Sequence, residues 1–585
     1  MNLKLKSGAR AAVPVPCANL TRPDRRAKIS AYKTSCRTCE SLSHQNGGYG
    51  NHPVPRRSRK TIRDVTGRPG EITMKVSRIL AATGMAAMAL VSQNLLAEPV
   101  PVQRQVVAVA GGQVQGSTED SVSAFKGIPY AAPPVAGNRW RAPQSVAPWQ
   151  GVRDATAYGA DCAQAPFPPD SAPVRTTPAE DCLFLNVWKP ASAKKGAQLP
   201  VMVWIHGGGF VNGGSSPAIY AGDKFARDGI VLVSINYRLG RFGFFAHPAL
   251  FAEGIGGNFG FLDQIAALKW VQANIAAFGG DPGRVTVFGE SAGGMSMHML
   301  LQSPLARGLF HGAIIESGGG RDRALPMPTM AVAAKAGEAF APGLMADQLR
   351  ALPVERVVGD LSMFTMGRPD YAGPMIDGKT ILGQSVDAIA GGLYARVPVI
   401  VGANSADGFP FVTDKAKIFA AFGPDEAEAR RLYDADGATP GLRLATMTSA
   451  DATFVEPARA VARALAKRGQ PVFLYRFAHN GVKMGEAMGG APHASELPYV
   501  FDQSALRRDQ LDTGKDASVA AITHRYWVNF AKTGRPDGEG GVPAWPEATA
   551  SDTTVQMIDG SGASHAGDPS SARLDFVERR ATGAH

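Results

Sequence analysis

The sequence predicts an α/β fold with a large, mostly parallel central sheet flanked by helices. Three observations carry this. Short apolar runs recur along the chain, helical patterns lie between them, and the composition supplies a large core. The chain has 585 residues, 45% of them hydrophobic and 19% charged. That excludes a disordered, collagen-like or coiled-coil protein. The apolar runs are residues 201–205, 230–235, 285–288, 313–315, 397–401 and 472–477. Continuous runs bounded by turn residues read as strands buried on both faces, the mark of a parallel sheet.

The clearest helical pattern places Leu262, Ile265, Leu268, Val271, Ile275 and Phe278 on one face. Gly279-Gly280-Asp281-Pro282 ends it, because two glycines and a proline cannot continue a helix. Strands alternating with helices imply the parallel arrangement. Residues 325–395 and 412–470 are mostly helical, with Pro, Gly and Met interspersed. They read as helical lid insertions above the sheet. Their methionines (Met327, Met330, Met345, Met363, Met366 and Met375) read as ordinary packing.

The net charge of +11 is unevenly placed. Residues 1–97 hold 17 Lys and Arg against 4 Asp and Glu, while residues 98–585 hold 44 against 46. The body is nearly neutral, so no nucleic-acid partner is expected. Residues 74–97 read as a secretory signal peptide. Lys75 and Arg78 precede an uncharged run over 79–91, and Ala97 suits the cleavage position. That run is short for a bilayer span, so no stable membrane insertion is expected after cleavage. Residues 1–73, rich in Arg, Pro, Ser and Gly, read as an extension upstream of the true start or as a disordered basic tail. Cys36-x-x-Cys39 within it has no second pair, so no metal site is expected there. Only Cys162 and Cys182 remain in the body, and in an exported chain they are expected to pair. The expected location is periplasmic or extracellular, with residues 98–585 forming one domain.

Gly289-Glu290-Ser291-Ala292-Gly293 lies between an apparent strand and an apparent helix. G-x-S-x-G in that setting is a nucleophile elbow, a strained turn that lifts the serine hydroxyl above the sheet edge. A serine needs a base to take its proton, and the base needs an acid to fix its tautomer. The order in such folds is serine, acid, histidine. Asp407 is the one carboxylate between the 397–401 strand and Asp414. The bases available beyond it are His479, His493, His524, His565 and His585. His493 follows the flexible run 488–492 and suits a reach over the elbow, whereas His479 directly ends a strand. The 201–205 strand runs into His206-Gly207-Gly208-Gly209-Phe210, whose glycines let backbone N–H groups approach a developing oxyanion. The phosphate-loop pattern is absent from this loop.

Together these residues resemble the type-B carboxylesterase/lipase family of α/β-hydrolases, which includes cholinesterases and bacterial para-nitrobenzyl esterases. The stretch from Phe278 through Ser291 to Gly294 is similar to the family's serine signature. Residues 180–187 are similar to its second signature. Residues 125–131, 236–240, 257–264 and 527–546 resemble further family segments, so the likeness runs over about 103–550. The resemblance implies an α/β-hydrolase fold and a serine carboxylesterase acting on small-molecule esters without cofactor or metal. It implies Ser291 as nucleophile, Asp407 as acid and His493 as base, with Gly208, Gly209 and Ala292 as oxyanion donors. It also implies a Cys162–Cys182 disulfide, an Arg139–Glu180 ion pair and a supporting role for Glu290. The family usually carries Glu where Asp407 stands, so the acid loop must lie nearer His493. Arg321, after the 313–315 strand, falls where the family's acyl pocket is bordered; it reads as a solvated arginine at a helix start, or else as a bidentate partner for an acyl carboxylate. The alternatives are a catalytically inert neuroligin-like binding protein, or the same chemistry on a lactone, thioester, carbamate or amide.

Overall fold

The computed structural model describes residues 103–583, apart from 255, 322–326, 508, 512 and 552–553. The proposed signal and upstream extension lie outside the described residues, as does His585. Thirteen strands form one sheet: β1 (Gln103–Val109), β2 (Gly112–Glu119), β3 (Val122–Pro129), β4 (Val152–Asp154), β5 (Phe184–Pro190), β6 (Leu199–Ile205), β7 (Val231–Ile235), β8 (Gly280–Glu290), β9 (Gly312–Glu316), β10 (Val399–Asn404), β11 (Val472–Phe477), β12 (Thr554–Asp559) and β13 (Gly562–Gly567). Their order is β1-β2-β3-β5-β7-β6-β8-β9-β10-β11-β12-β13, with β4 beside β2. From β7 to β12 every neighbouring pair is parallel. Both ends of the sheet are antiparallel, apart from the short β4, which pairs parallel with β2.

The six apolar runs are the centre of the sheet. Val201, Val231, Val285, Ala313, Val399 and Val472 are all fully buried, as helices cover both faces. The edge strands were not visible as such runs. β2 alternates exposed, half-buried and buried residues, and β13 buries none fully. An antiparallel strand with one wet face needs no continuous apolar run. β10 begins at Val399 rather than at residue 397, after Pro398, which has no N–H to give to the ladder.

The predicted helix spans Phe259–Asn274 and tightens into one 3-10 turn, Ile275–Phe278, which Gly279 ends at φ 89°. Its buried face also carries Asp263, bonded to Arg238 through Nε and Nη2, both at 2.7 Å. Apolar periodicity is blind to such a buried ion pair. The second insertion is mostly helical, as expected; the first is only partly so, with turns and irregular chain over 359–384. The first contains the helices Met330–Phe340, Ala346–Arg350, Val354–Val358 and Ser385–Ala390. The second ends in Gly441–Ala450 and Glu456–Lys467, joined by a turn of π-helix at Asp451–Val455.

Candidate active site

β8 ends at Glu290, and the helix Ala292–Gln302 begins immediately after Ser291. Ser291 itself sits at φ 56°, ψ −120°, a conformation that costs a side-chain-bearing residue on the order of 1–3 kcal/mol. The neighbouring glycines make the turn possible. A Cβ at Gly293 would lie 2.0 Å from the Ile205 carbonyl oxygen on β6, and one at Gly289 would lie 2.6 Å from it. Ser291 N–H donates to the Glu316 carbonyl on β9 at 2.9 Å, which fixes the turn against the next strand.

The structure brings Ser291, His493 and Asp407 together. His493 Nε2 lies 2.9 Å from Ser291 Oγ, and His493 Nδ1 lies 2.6 Å from Asp407 Oδ1. Asp407 follows β10 and is fully buried. Its other oxygen accepts from Ser317 Oγ at 2.6 Å and from Asn404 N–H at 2.9 Å. The Asp407 and His493 loops are laced together. Ala406 N–H donates to the Ala491 carbonyl, Ala491 N–H donates to Ser405 Oγ, and the Asn404 amide donates to Pro492 O and to Glu496 Oε2. This lacing holds the shorter aspartate within reach of the imidazole. Sequence reasoning did not assign Ser317, Asn404 or Glu496. Each stands one strand-end or one turn away from a predicted residue, and that adjacency was the available signal.

The loop after β6 faces the elbow. Gly208 adopts φ 98° and Gly209 φ 62°, where a β-carbon is strained. A Cβ at Gly208 would also sit 2.2 Å from the Asn212 carbonyl oxygen. Ala292 is the first residue of its helix, where backbone N–H groups have no intrahelical acceptor. Gly208 and Ser291 line the same cavity of about 480 Å³. Its walls include Phe167, Met363, Phe409 and Met484, so Met363 faces the cavity rather than only packing.

The imidazole lies in a field of buried carboxylates. Burial pushes the His493 pKa down, but Glu290 and Asp407 push it up and prevail. Glu290 Oε1 stands 3.2 Å from His493 Nε2 without making a hydrogen bond, because that nitrogen is aimed at Ser291. Burial raises the Glu290 carboxyl well above the ordinary range, as it does Glu496, to about 7. Burial also raises Glu316, whose Oε1 accepts from Trp527 Nε1 at 2.9 Å. His206, next to the glycine loop, is pushed down to about 4 by burial and is neutral at pH 7.

A family model described as "Carboxylesterase family" matches residues 103–577. The chain belongs to this family. Among its relatives, it is 37% identical over 504 residues to fumonisin B1 esterase of Sphingopyxis macrogoltabida, covering 80% of this chain and 90% of that one. It is 38% identical over 472 residues to para-nitrobenzyl esterase of Bacillus subtilis (strain 168), covering 76% and 93%. A solved para-nitrobenzyl esterase structure superposes with a TM-score of 0.70 at 34% identity, covering 81% of this chain and 99% of that one. The fold is therefore the α/β-hydrolase fold, and the protein is a serine carboxylic-ester hydrolase.

Other sequence expectations meet definite positions in this carboxylesterase. Cys162 and Cys182 form a disulfide. Arg139 grips Glu180 with two bonds of 2.6 Å. His479 is held by Asp516 at 3.0 Å and His524 by the Val500 carbonyl at 2.7 Å, both away from Ser291. Arg321 does not offer its charge to the catalytic cavity. Its guanidinium is taken by Glu456, with bonds of 2.7–2.9 Å, and reaches Glu578 at 3.4 Å. Among the described residues no helix is long and apolar enough to cross a membrane.

Proposed function

We propose that this carboxylesterase cleaves esters through an acyl-enzyme on Ser291. The observation that carries the reading is the continuous line Ser291 Oγ, His493 and Asp407, with contacts of 2.9 and 2.6 Å. His493 Nε2 takes the hydroxyl proton as Ser291 Oγ bonds to the ester carbon. The carbonyl oxygen becomes an oxyanion met by the N–H groups of Gly208, Gly209 and Ala292. The C–O bond to the alcohol then breaks, and His493 returns the proton to the leaving oxygen. Water repeats the sequence on the acyl-enzyme and releases the acid. Asp407 holds the imidazole with Nδ1 protonated, and Ser317 and Asn404 hold Asp407.

The mostly apolar cavity supports neutral esters of modest size as substrates. Export to an oxidising compartment is part of the same proposal, supported by the disulfide and the candidate signal over 74–97. The test is hydrolysis of para-nitrophenyl acetate and butyrate by oxidised protein. Ser291→Ala is expected to lower kcat by about 10⁴–10⁶. A folded wild-type protein that neither hydrolyses these esters nor reacts with a fluorophosphonate at Ser291 would support the inert binding protein instead.

A further inference from the structure

Resting on that reading, we propose that Phe454 is a positioning residue for His493, presented by the π-turn at Asp451–Val455. The Phe454 ring stacks on the imidazole with 5.0 Å between centroids and 16° between planes. Phe409 meets the same imidazole edge-on at 5.0 Å and 65°. Phe409 lines the catalytic cavity, whereas Phe454 is not among the described residues that line it. Phe454 therefore acts through His493 and not on the substrate.

The π-turn has a local cause. Pro457 has no N–H, and a proline ring crowds the carbonyl four residues back, which disfavours an ordinary α-turn there. The Glu456 N–H reaches the Asp451 carbonyl, five residues back rather than four, which widens the turn. Phe454, within this turn, lies against the imidazole and in a buried cluster with Ala403, Ala450, Val455 and Leu574. Both ends of the turn are tied to other segments. Asp451, buried, accepts from Arg573 Nε and from Tyr433 OH, both at 2.9 Å. Arg573 and Leu574 belong to the helix Ser571–Thr582, far from Ser291 in sequence. Glu456 is gripped by Arg321. That pairing gives Arg321 a use the sequence did not disclose.

The arrangement matters most when His493 is charged. The imidazole becomes an imidazolium as Ser291 attacks, and the negative face of a phenyl ring stabilises a cation beside it. A parallel ring also fixes the tilt that keeps Nε2 aimed at Ser291 Oγ. Losing it should slow the chemical step and leave substrate binding alone.

The experiment compares wild type, Phe454→Leu and Phe454→Tyr on para-nitrophenyl acetate, with fluorophosphonate labelling of Ser291 as a second rate. Phe454→Leu is expected to lower kcat and the labelling rate about tenfold with KM nearly unchanged. The strongly deshielded proton of the Nδ1–H bond to Asp407 should broaden or shift in its NMR spectrum. Phe454→Tyr, which keeps the ring, should retain most of the activity. Wild-type kcat in folded Phe454→Leu, or equal losses in both variants, would overturn the proposal. Should Phe454→Leu not fold, Arg573→Gln decides: it loosens the turn from outside and is expected to lower kcat about threefold at constant KM. An unchanged kcat there would overturn the proposal equally. A wild-type protein with neither hydrolysis nor labelling would instead remove the esterase mechanism itself.

Discussion

Ser291, Asp407 and the Gly208 loop leave the C-terminal ends of β8, β10 and β6, whereas the walls at Phe167 and Met363 come from segments far from any strand end. The two regions are held differently. The strand ends are fixed by ladder pairing and by backbone bonds such as Ser291 N–H to Glu316 O. The wall over residues 167–172 lies inside the loop closed by the Cys162–Cys182 disulfide. It is laced to the oxyanion loop by side chains. Gln164 exchanges two bonds with Gly213, at 2.7 and 2.9 Å, and Asn212 donates to Ala165 O at 2.9 Å. Asn212 also accepts from Met363 N–H at 3.1 Å, which brings in a second wall. Chemistry that must not move is placed on the sheet, and shape is left to pinned loops.

The comparison breaks if a substitution at the sheet edge behaves like one in a wall. Asp407→Asn keeps the shape but reverses what the side chain can offer to Nδ1–H. It is expected to lower kcat by about 10³–10⁴ with little change in KM, measured at several ester chain lengths. A loss confined to KM would move Asp407 to the wall. Glu290→Gln sharpens the same side of the comparison. Glu290 and Asp407 both raise the His493 pKa against its burial. Removing the Glu290 charge lowers that pKa, so the neutral base survives to lower pH. The acid limb of kcat/KM is expected to move down by about one pH unit. A limb that stayed in place would show that Glu290 does not govern the imidazole.

The same division explains what was legible in the sequence. G-x-S-x-G, the triple glycine and the strand before Asp407 are local patterns with a direct physical reading; Gly208 and Ser291 line one cavity, and Asp407 reaches it through His493. β6 to β11 were legible because burial on both faces demands unbroken apolar runs. β1, β2 and β4 were not, because strands at the edge mix polar and apolar residues, and β3 and β5 were not, because buried polar residues such as Ser123, Asn186 and Lys189 interrupt their apolar runs. Ser317, Glu496 and Phe454 were illegible as partners of the triad. Their roles depend on which loops meet across the sheet, and spacing along the chain does not encode that. Arg321 was open to two readings, a solvated arginine or an acyl-carboxylate partner, and it is neither: Glu456 holds it.

The smallest expected catalytic effect lies in the wall. Replacing Cys162 and Cys182 together by alanine reopens a loop with a sequence separation of 20 residues. Loop-closure entropy alone predicts a stability loss of about 3 kcal/mol, which denaturant unfolding measures. The triad contacts do not pass through this loop, so kcat on para-nitrophenyl acetate should stay within about twofold. KM should rise severalfold for larger esters, because Phe167 and the prolines beside it no longer hold one position against the cavity. The effect on KM should grow with the size of the ester, since a small substrate does not touch the far wall. A matching fall in kcat for the smallest ester would mean that the Gln164 and Asn212 bonds transmit wall motion into the oxyanion loop, and the two regions would then be one.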